Sequence, residues 1–332
     1  MTGTMPSPDS TSQREHERPP GSPRRVVALL DRLRPGWTQR AVVANLVAQI
    51  GIVVTGGAVR LTGSGLGCST WPYCEPGRFT PELHAEMTIH PLIEFGNRTL
   101  TGVLLVVALA VALLAGLDRT RSLSYRRLAW APFAGVVVQA GVGGITVLVD
   151  LHPAIVGSHF LISAALIAVS AWLLVRRREG DGPVVPVVDE RVRTLARGLA
   201  VLGAVVVALG VVVTGAGPHS GDEEVGYRFA VDPYAVARVH ALSVWAFVVT
   251  LAVILVLLAR ARRVADAGSG GPARALRSGL VLMAVTLAQG LVGYVQLFTG
   301  LPIALVNLHM LGAGVLIAAI ASFLGTLRRR EA

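Results

Sequence analysis

The chain carries eight apolar runs long enough to cross a membrane, and that feature rules out most folds. A bilayer core about 30 Å thick takes about 20 residues of helix. Runs of that order lie near residues 41–60, 91–117, 128–149, 153–175, 195–216, 234–259, 275–299 and 302–326. In hydrocarbon every backbone polar group must be paired inside the protein, so such runs fold as helices. Only 15% of the residues are charged and the mean hydropathy is +0.61, too little polarity to cover a soluble surface of this size. The expected fold class is all-α and polytopic, with eight transmembrane helices.

The basic residues set the expected topology. The 30 of them are all arginine, and the formal charge is +10. They do not form a patch beside aromatics, which argues against nucleic acid. They fall in short blocks between apolar runs, as the positive-inside rule requires. Seven lie in the first 40 residues. Others cluster at Arg119–Arg127, Arg176–Arg193, Arg260–Arg277 and Arg328–Arg330, whereas the opposite side has only Arg60, Arg78 and Arg228. Both termini are therefore expected in the cytoplasm of a multi-pass plasma-membrane protein. The polar, Pro- and Arg-rich residues 1–40 read as a disordered cytoplasmic tail. Cys68 and Cys74 share one extracytoplasmic loop, where a disulfide is chemically permitted. Two cysteines alone cannot form a zinc site.

The sequence repeats itself. Gln139-Ala140-Gly141-Val142-Gly143 returns as Gln289-Gly290-Leu291-Val292-Gly293, and a histidine follows each glutamine by 20 residues, at His159 and His309. Val53-Val54-Thr55-Gly56-Gly57 is answered by Val212-Val213-Thr214-Gly215-Ala216. Four helices per copy is an even number, so the copies run in the same direction: two parallel four-helix-bundle repeats. The expected divisions are residues 41–175 and 195–326, a cytoplasmic linker at 176–194, and a short tail at 327–332.

An imidazole in hydrocarbon needs a partner, so intramembrane histidines point to function. His159, His240 and His309 lie at similar depth. His240 and His309 fall in one bundle, where facing histidines make a bis-imidazole haem site. The repeat predicts a sister site in the first half, with His159 as one ligand. The position matching His240, counted back from the arginines that end each helix, is Asn97. His90 lies two turns further out and, with Pro91 behind it, reads as the entrance to its helix. Glu94 stands one turn from Asn97 on the same face and Arg98 adjoins it. A carboxylate there is suited to moving protons or stabilising positive charge. Arg60, Arg98 and Arg238 are candidate partners for haem propionates. His152 and His219, beside prolines in outer turns, read as loop-positioning residues, and Thr55, Gly56 and Gly57 as small residues at a close helix contact.

These residues together resemble the haem A synthase family. The matching strings are Gly57 through Cys68 with Trp71-Pro72 and Cys74, Ile93 through Arg98, Gln139 through His159, Thr214 through Asp222, His240, and Gln289 through His309, covering roughly residues 41–326. The resemblance implies an eight-helix membrane enzyme that oxidises a methyl substituent of haem O to a formyl group by successive hydroxylations. It implies haem b on His240 and His309. It also implies haem O as the first-half substrate, with His159 as ligand, Glu94 as the key acidic residue and an outer Cys68–Cys74 disulfide. A haem O synthase and a membrane electron carrier are the implied partners, besides lipid. The family commonly has histidine where this chain has Asn97, which leaves an open or water-bound position, a role for His90, or reduced activity. A non-catalytic di-haem b-type electron carrier is the alternative reading, but it expects both ligand pairs intact and gives Glu94 no task. A transporter would place Gly or Pro breaks where this chain has histidines.

Overall fold

The structure is a computed structural model that describes residues 23–82, 88–219, 227–264 and 270–331. Residues 1–22 of the expected tail, and Ser220, Gly221 and Asp222 of the quoted strings, lie outside the described residues. The helices are α1 (Pro23–Leu61), α2 (His90–Gly116), α3 (Leu123–Leu148), α4 (Pro153–Arg178), α5 (Glu190–Ala216), α6 (Pro233–Val264), α7 (Gly270–Phe298) and α8 (Ile303–Thr326). All eight are long and apolar enough to span a membrane. The chain is an all-α polytopic membrane protein.

Local chemistry sets the helix boundaries. Ser122 accepts from Tyr125 N–H at the start of α3 and Asp189 from Val192 N–H at the start of α5, each filling an orphan donor of the first turn. Pro91 and Pro153 occupy first-turn positions, where a missing N–H costs nothing. The turn between α3 and α4 puts Asp150 and Leu151 at φ of 49° and 56°; that between α7 and α8 puts Gly300 and Leu301 at 77° and 60°. The same left-handed pair thus closes the same hairpin in both repeats, and the two leucines accept the strain that normally favours glycine.

Helices α1–α4 form one antiparallel bundle and α5–α8 the other, with α1 and α4 meeting α8, and α4 meeting α5, along the seam. Glycine permits the close approach there. A Cβ on Gly57 of α1 would fall 2.7 Å from Met310 Sδ of α8, and one on Gly157 of α4 would fall 2.6 Å from Val211 Cγ1 of α5.

Two details depart from the sequence reading. Helix α1 begins at Pro23 rather than near residue 41. Between Arg24-Arg25 and Asp31-Arg32 only the five residues 26–30 are continuously apolar, too short a run to mark a membrane helix in the sequence. The linker and tail are also not plain connections. β1 (Val184–Pro186) and β2 (Arg328–Arg330) pair antiparallel, with Val185 opposite Arg329. Around them Arg176 meets Glu179 at 3.0 Å and Asp181 at 3.3 Å, Arg121 meets Asp181 at 2.6 Å, and Arg328 meets Glu179 at 3.3 Å.

Candidate haem sites and the acidic cluster

The three membrane histidines sit at one level. His159 follows Pro153 by six residues, His309 follows Ile303 by six, and His240 follows Pro233 by seven. At about 1.5 Å per residue, each lies roughly 10 Å inside its helix. All three are half-buried.

Each ring rests on a glycine. A Cβ on Gly143 would lie 3.3 Å from Cε1 of His159, one on Gly210 would lie 3.4 Å from Cε1 of His240, and one on Gly293 would lie 3.1 Å from Cε1 of His309. Gly143 and Gly293 occupy the same place in the two repeats. The helices bearing His159 and His309 are each held from behind by the repeated glutamine. Gln139 Nε2 donates to the His159 carbonyl at 2.8 Å, and Gln289 Nε2 donates to the His309 carbonyl at 2.7 Å. Nδ1 of all three histidines is buried without a hydrogen-bond partner from the protein. The His240 ring addresses the Val206 backbone and the His309 ring that of Gln289, short of full hydrogen-bond geometry. Ligating histidines characteristically turn their second nitrogen to a carbonyl in this way, leaving the other for metal.

His240 on α6 and His309 on α8, each backed by glycine and close enough to interact electrostatically, could supply two imidazoles to a haem, and His159 on α4 could supply one. Among the described residues no group of three or more His, Cys, Asp or Glu side chains could hold a bare metal ion.

The first repeat adds an acidic cluster at its outer end. Glu94 is 5% exposed. Its Oε2 accepts from Cys68 N–H at 2.7 Å, and its Oε1 accepts from Arg98 Nη2 at 2.5 Å and Nε at 3.1 Å. Arg98 Nη1 also donates to the carbonyls of Thr70 at 3.0 Å and Tyr73 at 3.2 Å. A disulfide joins Cys68 to Cys74, and both are fully buried. The ion pair on α2 therefore clamps the cysteine loop across both sides. Trp71 of that loop packs where a Cβ on Gly144 of α3 would be, at 2.5 Å.

The remaining sequence candidates fall into definite places. His90 opens α2, and its Nδ1 shares a 2.8 Å hydrogen bond with Ser64 Oγ. Gly67 packs against the His90 carbonyl, 2.7 Å from a Cβ there. Asn97 Oδ1 accepts from Thr55 Oγ1 of α1 at 2.7 Å, so Thr55 orients a side chain as well as being small. Arg60 Nε donates to the His219 carbonyl at 2.7 Å, and the His219 ring reaches the Leu301 carbonyl at 3.0 Å. His152 packs on Tyr227, ring centroids 5.5 Å apart. Arg60 and Arg98 thus hold backbone carbonyls, whereas Arg238 is exposed. Sequence reasoning missed the ring-backing glycines, although both Gly143 and Gly293 stand inside the repeated strings.

Fold and site define a class: a two-repeat membrane bundle with a glutamine-held histidine in each half, a second membrane histidine in one half and, among the described residues, a buried carboxylate at the outer end of the other. Comparison with known proteins narrows it. Residues 39–220 match the family described as cytochrome oxidase assembly protein (COX15-CtaA). A haem A synthase from Caulobacter sp. strain K31 is 30% identical over 90% of this chain and 98% of its own length. Haem A synthases from an Exiguobacterium species and from Symbiobacterium thermophilum are each 30% identical, over 49% and 52% of this chain and 52% and 57% of their own lengths. The chain belongs to the haem A synthase family.

Proposed function

We propose that this protein oxidises a methyl substituent of haem O to a formyl group, giving haem A, and that its two halves divide the work. The observation that carries the reading is the asymmetry of two otherwise matching repeats. Both halves have the glutamine-held histidine on glycine, but the second half has a histidine pair and the first has Glu94, Arg98 and the disulfide loop. A pair of imidazoles suits a retained haem, so His240 and His309 are assigned to haem b. The half with one histidine inside the membrane and a buried carboxylate suits a haem that is exchanged and modified, so His159 and Glu94 are assigned to haem O. Bound there, haem supplies both a redox-active iron and the methyl group that is oxidised.

The chain's own residues do the rest. His159 binds and orients. Thr55 turns Asn97 toward α1. Glu94 is placed to hold or pass a proton: one arriving at Oε2 competes with the Cys68 N–H for the same oxygen, which couples protonation of Glu94 to the seating of the cysteine loop. The arginine distribution supports an orientation with both termini in the cytoplasm and the cysteine loop outside the plasma membrane. A haem O synthase and a membrane electron carrier are the partners that this role requires.

The assignment is tested on purified protein. His240→Ala and His309→Ala should each strip haem b, read from the reduced-minus-oxidised spectrum, while His159→Ala should leave that signal in place. Full haem b content in both second-half variants would contradict it.

A further inference from the structure

Below the histidines, toward the arginine-rich end, the two repeats are built from different material. In the second, α5–α8 meet in a dry cluster containing Leu199, Phe247, Leu251, Ile254, Leu258 and Phe323. In the first, Val42, Val111, Ala115, Ala129 and Leu173 pack around Tyr125 in a smaller apolar cluster, and buried polar side chains are interspersed with the apolar ones from there up the bundle. Asn45 is 0% exposed, Gln49 1%, Tyr125 1% and Ser170 0%. The register of the repeat sets Ala204, Ala208, Ala275 and Ile320 at those four positions, and Ala313 where the first repeat has Ser163. Only the glutamine that holds the histidine is common to both.

These polar groups are incompletely satisfied by the protein. Asn45 Nδ2 donates to Ser170 Oγ at 2.8 Å and Gln139 Nε2 to Ser163 Oγ at 2.6 Å. Asn45 Oδ1, Gln49 Nε2, Gln139 Oε1 and the Tyr125 hydroxyl are buried with no hydrogen-bond partner among the described residues. Four orphaned polar atoms in one bundle are costly unless water reaches them. Their spacing suits water. Asn45 and Gln49 share a face of α1, about 6 Å apart along the axis, a gap that one bridging water closes. Ser163 and Ser170 share a face of α4, about 10 Å apart, and Gln49 lies between their levels because α1 and α4 run antiparallel. Tyr125 and Gln139 stand at opposite ends of the buried face of α3.

We propose that the first repeat encloses a water track between α1, α3 and α4, running from Gln139 behind His159 through Gln49, Asn45 and Ser170 to Tyr125, and that it gives the substrate half its own water and proton access from the arginine-rich side. The role in access rests on the function proposed above; the presence of water does not. Each hydroxylation either takes its oxygen from dioxygen, consuming two electrons and two protons and releasing one water, or takes it from water, releasing two protons and passing two electrons to the membrane electron carrier; on either route the modified half exchanges protons and water, which a half retaining haem does not.

Gln49→Leu and Tyr125→Phe test this without touching the histidines or Glu94. In a wet track each lowers haem A formation in cells co-expressing a haem O synthase by about an order of magnitude, leaves haem b content unchanged and does not raise the melting temperature. In a dry core each removes an orphaned polar atom, so each raises the melting temperature by roughly 2–4 °C. Stabilisation by both, or undiminished haem A formation in both, overturns the proposal. If the parent protein makes no haem A, the proposed function fails first, and the melting temperatures still decide whether the track holds water.

Discussion

Gln289 donates its side-chain amide to the backbone carbonyl of His309 at 2.7 Å, and Gln139 does the same to His159 at 2.8 Å. A carbonyl within a helix already accepts from the residue four positions on, so the glutamine adds a second bond that pins the histidine's turn to the preceding helix. Replacing Gln289 with leucine should cost about 1 kcal/mol of stability. It should also change the electron paramagnetic signature of the haem b ligands, which a purely structural loss would not alter. An unchanged signature would mean that the glutamine does not orient the ligand.

Gly293 and Gly290 offer a paired test on one helix. A Cβ at Gly293 would stand 3.1 Å from His309 Cε1, whereas a Cβ at Gly290 meets nothing within 4 Å. Gly293→Val should therefore displace the ring and lower haem b content severalfold. Gly290→Ala should keep full content and gain about 0.5–1 kcal/mol from helix propensity. Equal haem content in the two variants would remove the glycine from the site.

Glu94 and Arg98 form a buried pair, so the two single substitutions should be unequal to the double. Removing one partner of such a pair costs about 3–5 kcal/mol because the other charge is left unpaired. Arg98→Met leaves the Glu94 carboxylate with only the backbone N–H groups of Cys68 and Gly67 and should be severe. Adding Glu94→Gln to it should recover part of the loss. Thermal unfolding of the detergent-solubilised protein closes the cycle, and strict additivity would contradict a coupled pair.

Asp181 ties the linker to the start of α3, through Arg121 at 2.6 Å and Ser122 Oγ at 2.6 Å. Burial works against its charge, but the hydrogen bonds from Arg121 and Ser122 outweigh that and hold its carboxyl well below the usual carboxylate range. The native state therefore favours the ionised form. The resulting stability is complete above the unfolded carboxylate value, about pH 4, and is lost as the pH falls through the lower folded value. The stability difference between the parent and Asp181→Asn should be constant from neutral pH to about pH 5 and shrink below about pH 4. A difference that grew on acidification would reverse the sign.

The membrane made much of this legible in the sequence. Lipid forces the backbone into helices, so the eight runs fixed the architecture, and the 20-residue interval from Gln139 to His159 and from Gln289 to His309 marked both halves. What the sequence withheld came from contacts that carry no periodicity. The β1–β2 pairing joins residues more than 140 apart, and arginine-rich tails carry no strand pattern. Asn97 reads as a departure from a ligand, and only the helix crossing shows Thr55 holding it. Arg98 had the charge for a propionate, but its five donors also match the carbonyls of a loop that only folding brings over α2. The start of α1 at Pro23 was hidden because its first apolar run is too short to mark a membrane helix.

The central claim is that this chain makes haem A although Asn97 stands where the repeat would place a second membrane histidine beside His159. It is tested most directly by co-expressing the full chain with a haem O synthase in a host that makes no haem A, then extracting the haem for chromatography and mass analysis. The account predicts haem A or its hydroxymethyl precursor. Unchanged haem O, extracted from well-expressed protein loaded with haem b, would contradict it.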